Sequence, residues 1–430
     1  MILQISRYWE ACFKSFVLNL VFVAMLSNPY ACAQISTPLN LLEQSDPLYM
    51  PFDYTNGFII IDVVFQKIIP LRFILDTGAE NTILLKREYA DMVRLPYHKK
   101  IKLLGSDMSK DVHAYVSNGA SLQLVNAPTI RHNIIVLAED YLLLEEYIGA
   151  KVDGIIGAEF FKGLLLKIDY SKRVITVSDP DKNLVKKIKD FHAFPLEIFN
   201  YKPYLNCVAE INSGYPVNTR LLIDTGAGLT ALFHNNTDSM MQLKGQIVKG
   251  TLGKGLGGEI EGFSGKIHKL IIGDLYFNSM ISSFQDLELS ILESDKIKRN
   301  GLLGNILLDR FEVILDFKNA QLYLKPDKDY NRDFEFDKSG MAVFAFSEKL
   351  NKYYVKYVVD SSPAYEADIR PGDIILKIGC LSYQWYTLQN ITKKLSGKSG
   401  KKIKLKIKRG NEVLKKEVIL RDLFQLDIHK

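Results

Sequence analysis

Arg72-Phe73-Ile74-Leu75-Asp76-Thr77-Gly78-Ala79 recurs as Arg220-Leu221-Leu222-Ile223-Asp224-Thr225-Gly226-Ala227. In both copies an arginine and three apolar residues lead into Asp-Thr-Gly, and alanine follows. A short apolar run closed by a glycine turn reads as a buried strand. A carboxylate at the mouth of that turn is poorly placed for stability alone. Two of them in matching frames point to a pair that meets across a pseudo-two-fold axis. Close carboxyls cannot both ionise, so they share a proton, and one can act as base while the other acts as acid.

The repeat extends beyond the triplets. The two aspartates lie 148 positions apart. Asp153-Gly154-Ile155-Ile156-Gly157 and Asn300-Gly301-Leu302-Leu303-Gly304 follow them at an offset of 147, as do Leu166-Lys167-Ile168-Asp169 and Ile314-Leu315-Asp316. A lone Asp-Thr-Gly is an ordinary turn, since Asp and Gly both favour one. Strand, turn, apolar-apolar-Gly and strand, twice in one order, is a duplicated architecture.

The chain has 430 residues and a net charge of +6, enough for two or three domains. Arg7 and Lys14, the apolar run Phe16–Leu26 and Ala31-Cys32-Ala33 read as a secretory signal over residues 1–33. The expected location is therefore periplasmic or extracellular. The alternative is membrane attachment through an uncleaved signal or a lipid on Cys32, and no later segment is apolar enough to span a bilayer. Cys207 and Cys380 would remain as buried single thiols. Scattered histidines give no metal site and nothing calls for a cofactor.

Short β-branched runs between turn residues indicate mainly β structure. An irregular leader over 34–51 precedes two all-β stretches, 52–180 and 190–325, and a charged linker over 326–338. Residues 339–425 differ in texture, with a strand–helix–strand pattern and a charge of roughly +9. Lys401–Arg409 alternates with period two, as a strand with a lysine face, so nucleic acid is not the expected partner.

Two resemblances follow. The order Ser362-Pro363-Ala364, a helical turn, then Arg370-Pro371-Gly372-Asp373-Ile374-Ile375-Leu376 resembles a PDZ domain of the circularly permuted bacterial type. Residues 52–328, with Asp76-Thr77-Gly78-Ala79-Glu80-Asn81-Thr82, resemble a single-chain, two-lobed aspartic protease whose motif is close to the retropepsin form. The resemblances imply two pseudo-symmetric aspartic-protease β-barrel lobes followed by a small α+β PDZ domain. They also imply an exported aspartic endopeptidase that acts on peptide or protein substrates.

On that resemblance Asp76 and Asp224 are the catalytic pair, flanking one water. Thr77 and Thr225 would cross-bond to the opposite loop, and Gly78 and Gly226 would let the backbone turn and aim an N–H at each carboxylate. Glu80 and Asn81 would hold substrate backbone. Gly105 in one hairpin, and Gly257 and Gly258 in another, would sit at flaps over the substrate. The N–H groups around Gly340 and Met341 would hold a peptide or chain end in the PDZ groove. The rival reading is a catalytically silent peptide-binding or scaffolding protein on the same frame.

Overall fold

The computed structural model describes residues 42, 47–104, 111–183, 188–255, 258–287 and 299–424. The expected signal, Gly105 and Gly257 lie outside them.

The fold is mainly β. An eight-stranded sheet runs in the order Asp53–Thr55, Phe58–Phe65, Ile69–Asp76, Gly154–Gly157, Ile83–Leu84, Thr129–Leu137, Asp111–Leu124 and Lys99–Leu104. Ile69–Asp76 and Gly154–Gly157 are parallel, with Asp76 beside Gly157. Ile83–Leu84 is antiparallel to the latter and parallel to Thr129–Leu137. The second half repeats this plan. Pro216–Ile223 runs parallel to Gly301–Leu303, with Ile223 beside Leu303. Ala231–His234 is antiparallel to Gly301–Leu303 and parallel to Ile281–Gln285. Equal hydrophobic patterns thus give equal strand orders.

The halves join where their equivalent strands meet. Leu165–Asp169 pairs antiparallel with Phe311–Asp316, each flanked by its own hairpin partner. Asp169 and Asp316 close those hairpins: each accepts main-chain N–H bonds from the following turn, at Lys172 in one case and at Lys318 and Asn319 in the other. One large hydrophobic cluster, from Leu42 to Leu324, spans both halves.

Two expected boundaries shift. Leu48–Pro51 is a strand paired with Val174–Val177, so the leader ends inside the fold. The charged stretch after Pro326 is packed. Buried Arg310 donates to the carbonyls of Tyr330 and Arg332 at 2.8 and 2.6 Å, and its guanidinium lies 3.8 Å over the Phe334 ring. Burying a charge is tolerable only with such partners.

The C-terminal region has its own core, Met341 to Leu420. Its sheet runs Met341–Phe346, Lys352–Val358, Ile374–Ile378, Lys402–Arg409 and Glu412–Ile419. Helix Leu388–Leu395 buries Leu388, Ile391 and Leu395 on one stripe, and Thr387 caps it by accepting the Asn390 N–H at 3.2 Å. The lysine-faced strand alternates exposed and buried residues as read, yet it is central, hydrogen-bonded on both sides.

Candidate functional site

The two Asp-Thr-Gly turns face each other. The Thr77 hydroxyl donates to the Ile223 carbonyl at 2.6 Å, and the Thr225 hydroxyl donates to the Leu75 carbonyl at 2.9 Å. Each hydroxyl also accepts the other threonine's main-chain N–H, at 3.0 and 3.1 Å. Four hydrogen bonds between fully buried residues tie the turns together, so neither can move without orphaning polar groups. Thr serves because one hydroxyl both donates and accepts.

Across this tie the glycines lie against the opposite carboxyls. A Cβ on Gly78 would stand 2.5 Å from Cγ of Asp224, and one on Gly226 would overlap Cγ of Asp76. Any side chain at either position would collide with the acid across the axis. The triplet is fixed here by close approach. Ile155-Ile156-Gly157 and Leu302-Leu303-Gly304 lie behind the turns. Gly157 abuts the carbonyls of Glu80 and Asn81, and Gly304 those of Ala227 and Leu229.

Burial pushes both carboxyls up. Asp76 is raised by burial, against which the N–H groups of Ala79 and Gly78 favour its ionised form. Asp224 is raised well above the carboxylate range by burial, by the negative charge of Asp76 and by a hydrogen bond to it. Two amide donors favour the ionised form at Asp76 and one does so at Asp224.

Glu80 and Asn81 occupy the turn after the first triplet. Glu80 accepts a main-chain bond from Glu159, whose carboxyl is raised by burial and by the Glu80 charge. The second turn is not a copy: Asn305 and Ile306 donate to Ala227 and Leu229, passing over Gly228, which packs against Phe58 and the Asn56 carbonyl. Gly258 begins the strand Gly258–Lys266 of the second-half hairpin. Sequence reading missed the buried Asn305, which donates to the carbonyls of Gly57 and Thr225 and accepts from the Tyr170 hydroxyl at 2.6 Å. The signal was available: Asn305 stands where the repeat has Ala158.

In the C-terminal region the N–H groups assigned to a chain end already have an acceptor. The Asp337 carboxylate accepts the N–H groups of Ser339 and Gly340, and both its oxygens accept from the Ser339 hydroxyl at 2.9 Å. The Met341 N–H donates to the Ser339 Oγ at 3.2 Å. Burial raises Asp337 to about 6. Gly340 is required there: its φ is +75° and a Cβ would strike Ser362.

Cys207 is buried, its thiol raised to about 11, whereas Cys380 lies exposed in a turn, contrary to the expected pair of buried thiols. Burial holds His132 down to about 4 and His234 to about 3. Among the described residues no Ser or Thr hydroxyl is hydrogen-bonded to a histidine ring. Among them, too, no helix is long and apolar enough to cross a membrane.

The PDZ domain family matches residues 354–409. The C-terminal region holds a PDZ domain. A PDZ domain implies peptide binding. The chain is also 31% identical over 111 residues to a probable CtpA-like serine protease of Staphylococcus saprophyticus subsp. saprophyticus, a stretch covering 26% of this chain and 22% of that protein. The chain thus spans about a fifth of the length of the curated relative it matches. This finding corrects the aspartic-type endopeptidase read from the triplets: the relative is a protease of another catalytic type. The catalytically silent scaffold gains nothing from a relative named as a protease. The reason for the correction is that matching triplets bring two acids together but do not identify the nucleophile.

Proposed function

We propose that this chain is a PDZ-containing protease. The observation that carries the proposal is the presence of a PDZ domain in a chain whose matched relative is itself named as a protease. Its substrate class is polypeptide, and its location is exported, as the basic and apolar N-terminal residues imply.

Two finer parts belong to the same proposal. The body is taken as two pseudo-symmetric lobes of the kind found in aspartic proteases, as an architecture and not as a catalytic type. Asp76 and Asp224 are taken as functional residues of the site where the two halves meet, with no catalytic type assigned to them. The support is the cross-bonded threonines, the glycines pressed against the opposite acids, and the raised carboxyl of Asp224. Glu80, Asn81 and Gly258 are proposed to border the substrate.

The experiment is digestion of a mixed peptide library by the purified chain, by Asp76→Asn and by Asp224→Asn, with a serine-reactive fluorophosphonate probe in parallel. Cleavage by the wild type is expected, with a loss of at least about 100-fold in each variant, the usual scale of proton-transfer assistance. No cleavage by the wild type would sink the protease reading. Cleavage that survives in both variants would leave that reading and remove the pair from the centre. The probe reports whether a nucleophilic serine is present.

A further inference from the structure

A PDZ groove has two recognition elements, an amide cradle at one end and a strand edge beside a helix. In this chain the amide cradle already has an internal acceptor. The cradle N–H groups of Ser339 and Gly340 bond the Asp337 carboxylate, and that of Met341 bonds the Ser339 hydroxyl. The strand is Met341–Phe346, at the end of its sheet and paired there with Lys352–Val358.

Against this strand lies a short first-lobe helix, Leu144–Ile148, ended by Gly149. Tyr147 meets Phe344 edge to face with ring centroids 5.5 Å apart. The Tyr354 hydroxyl donates to Glu146 at 3.3 Å. Gly149 approaches Leu388 so closely that a Cβ would stand 2.6 Å from the leucine Cβ. Phe344 and Tyr354 adjoin each other outside the domain core, whereas Leu388 belongs to that core and opens the groove helix. A segment that touches both must cross the strand's outer edge.

We propose that Leu144–Gly149 is an internal occupant of the PDZ groove, that an external polypeptide binds only by displacing it, and that what then binds is an internal extended stretch rather than a free C-terminus. The second clause follows from which parts move. The first-lobe segment leaves when the domain unseats, but Asp337 precedes the strand by only a few residues and travels with it. An incoming terminal carboxylate would meet amides already bonded and a like charge. An internal stretch brings no such charge and needs only the strand edge. The inference rests on the proposed peptide-binding role of this domain.

The test uses the full chain and a randomised octapeptide library made in two forms, free acid and amide, with bound peptide recovered by gel filtration at 4 °C and counted by mass spectrometry. Three proteins are compared: wild type, Tyr147→Lys and Glu146→Lys. Glu146 is half-buried and accepts from the Tyr354 hydroxyl, so it serves if Tyr147→Lys fails to fold. Either variant should bind at least about tenfold more peptide than the wild type, a modest coupling between sites. Acid and amide should be recovered equally. Wild type that binds as well as both variants would overturn the internal occupant. A tenfold preference for the free acid would overturn the filled cradle. No binding by any of the three would overturn the peptide-binding reading itself, a result distinct from either.

Discussion

In the first Asp-Thr-Gly turn, the Asp76 Oδ1 accepts the N–H groups of both Gly78 and Ala79, at 2.8 and 2.9 Å. In the second, the Asp224 Oδ1 accepts that of Gly226 at 2.8 Å, while the Ala227 N–H turns to the Asp224 main-chain carbonyl. Identical residues in matched strands thus give one acid two amide donors and the other one. An amide donor favours the ionised form. The comparison teaches that a duplicated motif fixes where two carboxyls stand, whereas the allocation of their proton depends on which neighbours the duplication failed to copy.

The support beneath the turns differs in the same sense. Ala158 sits below the first, and Asn305 with its three hydrogen-bond partners below the second.

The largest expected effect attacks what the halves share. Gly226→Ala drives a methyl into the Asp76 carboxyl and should cost about 3 kcal/mol or more, the upper range for overpacking. Gly78→Ala should match it, since the contact is reciprocal. Thermal unfolding of the two variants reads this, and a mild effect from either would break the symmetry. Asn305→Ala comes next, at about 2–3 kcal/mol, because it leaves the carbonyls of Gly57 and Thr225 and the Tyr170 hydroxyl without a partner. Its equivalent, Ala158, has no side-chain bonds to lose, so this cost belongs to the second half alone. Urea unfolding measures it.

Thr77→Val and Thr225→Val should each cost about 1–2 kcal/mol, since each removes one hydroxyl donor and leaves the other threonine's N–H without its acceptor. Thermal unfolding reads both, and a cost confined to one of them would break the symmetry. The smallest effect lies outside the comparison. Ser362 caps the short PDZ helix by accepting the Tyr365 N–H, so Ser362→Ala should cost about 1 kcal/mol and leave the carboxyl pair untouched.

Much of this was legible. The triplets, the apolar-apolar-Gly runs and the closing aspartates at 169 and 316 announced the duplication, because each is a local pattern with a local cause. The PDZ elements were legible for the same reason: the short helix that opens at Ser362-Pro363-Ala364, and Pro371-Gly372 as a turn. What escaped reading arises between distant segments. Asn305 gains its role only when Gly57 and Tyr170 fold beside it, and Asp337 fills the amide cradle through a turn that a charged stretch did not advertise. Leu144–Ile148 is too short to predict as a helix, and its contact with Phe344 joins residues almost two hundred positions apart. The catalytic type escaped for a different reason: it is set by the group that delivers the nucleophile to the scissile carbonyl, and two facing acids do not by themselves identify that group.

The central claim is that Asp76 and Asp224 share one proton. Carbon-13 carboxyl NMR on aspartate-labelled protein, titrated from acid to alkaline pH in the wild type and in Asp224→Asn, tests it most directly. One macroscopic step well above the ordinary aspartate range is expected in the wild type and absent in the variant. A carboxyl raised in the folded state stabilises the fold below its unfolded value and loses that contribution as pH rises through the folded one, so wild-type stability relative to the variant should fall over that window. Two wild-type steps both near 4, unchanged in Asp224→Asn, would contradict the claim.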